Sequence, residues 1–220
     1  MDMREDIFYQ FFQVRWPVGD GSATEYGFQV FIGLSLYTFV ADVINRAPAS
    51  VWSYPYLVTK VRFPVEMLPV VQVGAAGLQL LLALLVTLPF MLWRGGLHWA
   101  VLLLPLYLLP LLLYVLALGW LLGALSVYLR DIGHLAPSFS SLLLFLTPIF
   151  YPASMVPASL RWMVDLNPLA WAAEAARSVL LNGTAAPWQG WGVHLVVSCT
   201  LATMGWAFFQ RVKPGFADVL

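Results

Sequence analysis

The sequence predicts an all-α, polytopic membrane protein with about five spans, and three observations carry that reading. Only 10% of the 220 residues are charged, whereas ordinary soluble domains carry roughly 25%. Several near-uncharged runs reach about 18 residues or more, long enough for a helix to cross the hydrocarbon of a bilayer. Mean hydropathy is +0.81, with 61% hydrophobic and 15% aromatic residues. The formal charges balance to zero, so no bulk electrostatic attraction to nucleic acid is available. A lone cysteine, Cys199, excludes an intrachain disulfide framework. The start, MDMREDIF, lacks the basic opening and apolar core of a signal peptide, so internal apolar segments must drive insertion. The whole of 1–220 reads as one membrane domain.

The first candidate span, 28–45, is short and carries Asp42 near its end. The second, 66–93, follows Pro64 and holds the clean run VGAAGLQLLLALLVTLPFML. In the third, about 98–126, Pro105 and Pro110 predict bends. A fourth, 138–152 (SFSSLLLFLTPIFYP), covers only roughly 22 Å as a helix, against a ~30 Å hydrocarbon core. The fifth, 190–210, is an ordinary span. Connectors 46–64 and 127–137 and the tail 211–220 then share one side, with Arg46, Lys60, Arg62, Arg130, Arg211 and Lys213. The other side holds Arg15, Arg94, Arg161 and Arg177, with Arg4 beyond them, in longer connectors. The positive-inside rule assigns the first set, and the C-terminus, to the cytoplasm. Five spans would then leave the N-terminus outside, although residues 1–27 hold only one short apolar patch, IFYQFFQV. A sixth, N-terminal span cut short near its outer end would explain both facts.

The outer connector, 153–189, holds two helix signals. Asn167-Pro168 reads as an N-cap followed by proline at the first helical position. The run LAWAAEAARSVLL closes at Asn182-Gly183, and Glu174 and Arg177 share a face at i, i+3. Before it, ASLRWMVDL makes a shorter amphipathic piece. Two interfacial helices on the outer face satisfy this pattern, and so does a structured loop that merely covers helix ends.

The stretch LRDIGHLAP, 129–137, concentrates chemically able side chains between two apolar runs. An active site there fails on topology. His98 and His194 fall near the outer surface and His134 near the inner one, so the three cannot converge on a metal. HExxH, GxSxG and GxxxxGK[ST] are all absent, so nucleotide-driven work must come from a partner chain. As a surface helix over 128–136 the stretch works better. Leu129, Ile132 and Leu135 recur at spacing 3 and lie on the membrane, while Arg130 and His134 project away and Pro137 ends the helix. Docking of a cytoplasmic protein suits such an element; an ordinary solvated connector is the plainer reading. In the other inner connector, Arg46, Lys60 and Arg62 face either phospholipid headgroups or the phosphates of a lipid-linked substrate. Phe145, Phe150, Tyr151, Trp162 and Trp171 fit an interfacial belt and core packing, with a sugar-stacking wall as the sharper alternative.

These stretches together resemble a known family. NRAPASVWSYPYLVTKVRFPVEMLP is similar to the first cytoplasmic connector of ABC-2 type permeases that export polysaccharides or polyol phosphates. YLRDIGHLAPSFSSLLLFLTPIFYPASMVP resembles the second connector and the span after it; LNPLAWAAEAARSVLLNG resembles the outer gate segment, and FFQRVKPGFADVL the C-terminal end. The resemblance implies a homodimer paired with two copies of an ATP-binding subunit, which would hold ATP and Mg; no cofactor is expected on this chain. It implies export of a lipid-linked O-antigen, capsule or teichoic-acid-like glycan across a bacterial cytoplasmic (inner) membrane. Permeases for a drug or small lipid, and a membrane-embedded glycan-processing enzyme, are the rival expectations. By the same resemblance Tyr128, Arg130, Asp131 and His134 would dock the ATPase, with Tyr54, Lys60 and Arg62 in the first coupling element. Phe145, Thr147, Pro148, Phe150, Tyr151, Trp162, Trp171, Glu174 and Arg177 would line the path and outer gate. Family members begin with a cytoplasmic amphipathic segment and a complete first span of six, so roughly the first forty residues are expected to be lacking here.

Overall fold

Four helices among the described residues are long and apolar enough to cross a membrane, and a shorter apolar helix accompanies them. The computed structural model describes residues 23–59, 63–94, 98–151, 155–157, 159 and 161–219. Its first rod, α1, runs unbroken over Ala23–Arg46. Two short helices, α2 (Ala49–Trp52) and α3 (Pro55–Thr59), occupy the proline-punctuated connector. The second span is made of α4 (Met67–Leu85) and α5 (Thr87–Arg94), and the third of a 3-10 segment (Trp99–Leu103) leading into α6 (Leu104–Tyr128). Then come α7 (Ile132–Leu146), the short α8 (Arg161–Asp165), α9 (Pro168–Leu180) and the last long helix, α10 (Trp188–Val212). A 3-10 turn (Lys213–Gly215) and α11 (Phe216–Val219) finish the chain.

The most extensive pairing is α6 against α10. It depends on Gly205, where a Cβ would come within 2.9 Å of the Ala117 carbonyl oxygen of α6. On the other side of the bundle α1 is central, packing on α4, α6, α7 and α9. Its residues Ile32, Leu36, Val40 and Val43 lie in the main apolar core with Leu111 and Val115 of α6 and Ala172, Ala173 and Ala176 of α9. Alanines on α9 let a 13-residue helix lie close against two spans.

The prolines behave differently from expectation in one place and informatively in another. Pro110 lies inside α6, where its missing N–H leaves the Leu106 carbonyl without its usual ladder partner. The Trp191 indole N–H of α10 donates to that carbonyl at 2.8 Å, so the proline creates an acceptor that ties two spans together. Pro137 does not end a helix. The chain turns at Leu129–Asp131, α7 begins at Ile132, and Pro137 sits within it. So early in the helix, the proline forgoes only the ladder bond to the Gly133 carbonyl, which the rest of α7 outweighs. The expected 128–136 surface helix is therefore a tight turn followed by the first turn of α7. The fourth apolar helix is shifted toward the N-terminus relative to 138–152 and ends at Leu146.

Candidate functional site

One group of predicted residues is brought together, where α7 ends; a second set is exposed around the connectors at the opposite end of the bundle. Where α7 stops, Thr147 turns to an extended conformation (φ −103°, ψ 133°), and Pro148 and Ile149 follow as buried, non-helical backbone. Such backbone within an apolar bundle needs hydrogen-bond partners, and α9 and α1 supply them. Asn167 caps α9, its side-chain oxygen accepting from the Leu169 and Ala170 amides at 3.0 and 3.4 Å. The same side chain's amide donates to Thr147 Oγ1 at 3.0 Å, and that hydroxyl donates to the Leu143 carbonyl at 2.8 Å. One side-chain amide thus starts α9 and fixes its position against the end of α7.

Arg177, only 4% exposed, is the centre of this region. Its guanidinium donates to the carbonyls of Pro148 (3.1 Å), Ile149 (2.9 Å) and Gln29 (3.0 Å), and to Glu174 Oε1 (3.0 Å). The expected i, i+3 pair with Glu174 is present, but the bonds to Gln29, Pro148 and Ile149 reach backbone 28 to 148 residues away in sequence. Tyr26 adds a further tie from α1, its hydroxyl donating to the Phe150 carbonyl at 3.1 Å. Tyr151 donates to the Phe145 carbonyl at 3.2 Å. The region thus unites Thr147, Pro148, Phe150, Tyr151, Glu174 and Arg177, and adds Tyr26, Gln29, Gly33 and Asn167. A polar Gln29 and a glycine four residues on, inside an apolar span, were the available signal for two of these.

The aromatic candidates divide. Trp171 is walled in by Tyr107 (ring centroids 6.0 Å) and His194 (5.3 Å), and a Cβ at Gly190 would lie 2.5 Å from its indole nitrogen. Its half-buried ring packs against both. Phe145, Phe150 and Trp162 are exposed, and Trp188, absent from the sequence-based set, is exposed beside Tyr107 at 5.3 Å.

At the opposite end of the bundle the connectors meet the C-terminal segment. Phe216 is fully buried with Val51, Val65, Val127 and Phe209. Its ring lies 5.5 Å from Phe209 and 6.0 Å from Tyr128, and the Tyr128 hydroxyl donates to the Val212 carbonyl at 2.9 Å. Ser126 Oγ donates to the Pro48 carbonyl at 2.5 Å, holding the α1–α2 junction on α6. Lys213 Nζ donates to Glu66 Oε2 at 2.6 Å, and Trp120 Nε1 to the Glu66 carbonyl at 3.0 Å. Desolvation pushes the Glu66 carboxyl upward, but hydrogen bonds from Lys213, its own backbone amide and Gln210, with the Lys213 charge, hold it below its ordinary value of 4.5. Around this packed floor, Tyr54, Arg130, Asp131 and His134 are exposed. Arg46 bonds Asp42 one turn back at 2.7 Å, so its charge is already partnered within α1. Lys60 and Arg62 lie outside the described residues.

A bundle of apolar spans, with connectors packed on the C-terminal segment at one end and a broken helix braced at the other, defines a polytopic membrane domain. The chain belongs to the ABC-2 type transporter family, whose match covers residues 7–181. It is similar to the O-antigen export system permease protein RfbA of Klebsiella pneumoniae, 24% identical over 84% of this chain and 68% of that protein. It is also similar to the RfbA O-antigen export permease of Myxococcus xanthus, 30% identical over 64% of this chain and 56% of that protein.

Proposed function

We propose that this chain is the permease subunit of an ABC exporter that moves a lipid-linked polysaccharide outward across a bacterial cytoplasmic membrane. The observation that carries the substrate class is the similarity to O-antigen export permeases over most of the chain. ATP and Mg belong to a separate ATP-binding subunit, two copies of which would serve a permease dimer. The exposed side chains of Arg130, Asp131 and His134, with Tyr54 just before α3, form the surface on which that subunit docks, and the C-terminus lies on the same, cytoplasmic side. ATP-driven closure of the partner pair favours a bundle conformation that opens toward the glycan; the coupling is a difference in binding free energy between two conformations. In this reading the break at 147–151 is the outer gate.

The test is charge reversal. Arg130→Glu or Asp131→Lys should abolish glycan export and co-purification of the ATPase while leaving membrane insertion and thermal stability within about 0.5 kcal/mol of wild type, because both side chains are exposed. Normal export by these variants would refute the docking assignment. Turnover of a lipid-linked sugar by the purified chain alone would refute the exporter reading itself.

A further inference from the structure

A carbonyl inside an α-helix is ordinarily screened by the side chain four residues further on. On α1 the Gln29 carbonyl accepts from Arg177 Nε at 3.0 Å, and the residue four positions on is Gly33. A Cβ there would lie 2.5 Å from Arg177 Nη2 and 3.3 Å from Ile149 Cγ2. The missing side chain is what lets a guanidinium anchored on α9 reach the backbone of α1. The same group holds the Pro148 and Ile149 carbonyls at the end of α7, so one planar fork spans three elements. A guanidinium suits this because its donors diverge in a fixed plane.

At its other end α1 runs, through Ala47 and Pro48, directly into α2 and α3. Its 24 residues make a rod about 36 Å long. We propose that Arg177 is a positioning residue: it latches the outer end of α1 to the break at 147–149, so that α1 carries displacement of the inner connector to the gate. This rests on the reading of the chain as an exporter. The latch has two discrete arrangements, which a coupling element requires. Engaged, the Pro148 and Ile149 carbonyls are satisfied by the guanidinium in a dry setting. Released, they need water, which only an open path brings to them.

The experiment uses the complete exporter, permease with its ATPase, in proteoliposomes loaded with carboxyfluorescein and no ATP. Wild type should retain the dye. Arg177→Met and Gly33→Ala should release it about tenfold faster or more, as losing one or more buried hydrogen bonds implies. Arg177→Lys, which keeps the charge but loses the fork, should fall between. A role in folding alone would lower yield without ATP-independent leakage, so a normally inserted Arg177→Met that holds dye overturns the latch. Where Arg177→Met does not accumulate, Gly33→Ala decides by the same criterion. Independently, Tyr26→Cys and Phe150→Cys in a Cys199→Ser background, bridged by a short bifunctional methanethiosulfonate because the tyrosine's reach is too long for a direct disulfide, should stop ATP-driven export and release it on reduction; undiminished export by the bridged protein also overturns the latch. ATP-driven glycan export by wild type is the parallel arm. Its absence would sink the exporter reading, whereas export by wild type with a dye-tight Arg177→Met would sink the latch alone.

Discussion

The two ends of the molecule solve opposite problems. At one end a positive charge is buried, and the structure is held by hydrogen bonds from it: Arg177 to the carbonyls of Gln29, Pro148 and Ile149. At the other end the side chains of Arg130, Asp131 and His134 are exposed, and the structure is held by aromatic burial around Phe216 beside the Lys213–Glu66 pair. The difference has a physical basis. Hydrogen bonds to a buried ion are directional and fail abruptly when the geometry changes. Apolar packing is non-directional and keeps most of its strength over small displacements. The Arg177 arrangement therefore suits a position that is either kept or lost, and the Phe216 one a floor that shifts as a unit.

Three substitutions sharpen this contrast. The largest effect is expected at Phe216. Phe216→Ala should cost about 3 kcal/mol, at the low end for a buried phenylalanine because the 213–219 segment can peel away. Limited proteolysis should show the C-terminal segment cleaved far faster, with the Arg177 end unchanged; equal protection would mean the floor does not depend on this ring. Next comes Asn167→Ala, which removes the cap of α9 and the bond to Thr147 and should cost about 1 kcal/mol or somewhat more. Thermal aggregation in detergent would register it, and a shift smaller than that of Asn167→Asp, which keeps the capping oxygen, would contradict the geometry. The smallest concerns Glu66 and Lys213. Because the folded carboxyl titrates below its ordinary 4.5, its stabilising contribution is fully present above that value and is lost as pH falls through the lowered folded value. The difference in stability between wild type and Glu66→Gln should therefore be constant near neutrality and vanish in acid; a difference that grows as pH falls would reverse the sign of the interaction.

The spans were legible because hydropathy over about 20 residues depends on composition and not on partners. The start of α9 was equally legible, since Asn167-Pro168 acts within one turn, and Glu174 with Arg177 is likewise local. What one turn cannot reveal is that Arg177 spends its remaining donors on backbone far away in sequence, so its pairing was readable and its position at the centre was not. Pro137 misled for the converse reason: a proline is a strong local signal, but its effect depends on how far the helix has already run, and α7 starts only at Ile132. Phe216 gave no local signal. A short apolar tail looks the same whether it is solvated or packed beneath Tyr128.

Gly33 and Arg177 stand 144 positions apart in the chain, yet neither is free to change by itself. Any side chain at 33 occupies the space of the guanidinium, and any residue shorter than arginine at 177 leaves that space unfilled. The two sites should therefore behave as one in mutational selection. A side chain introduced at 33 would be tolerated best beside a smaller residue at 177, and the double change should be milder than the sum of its parts.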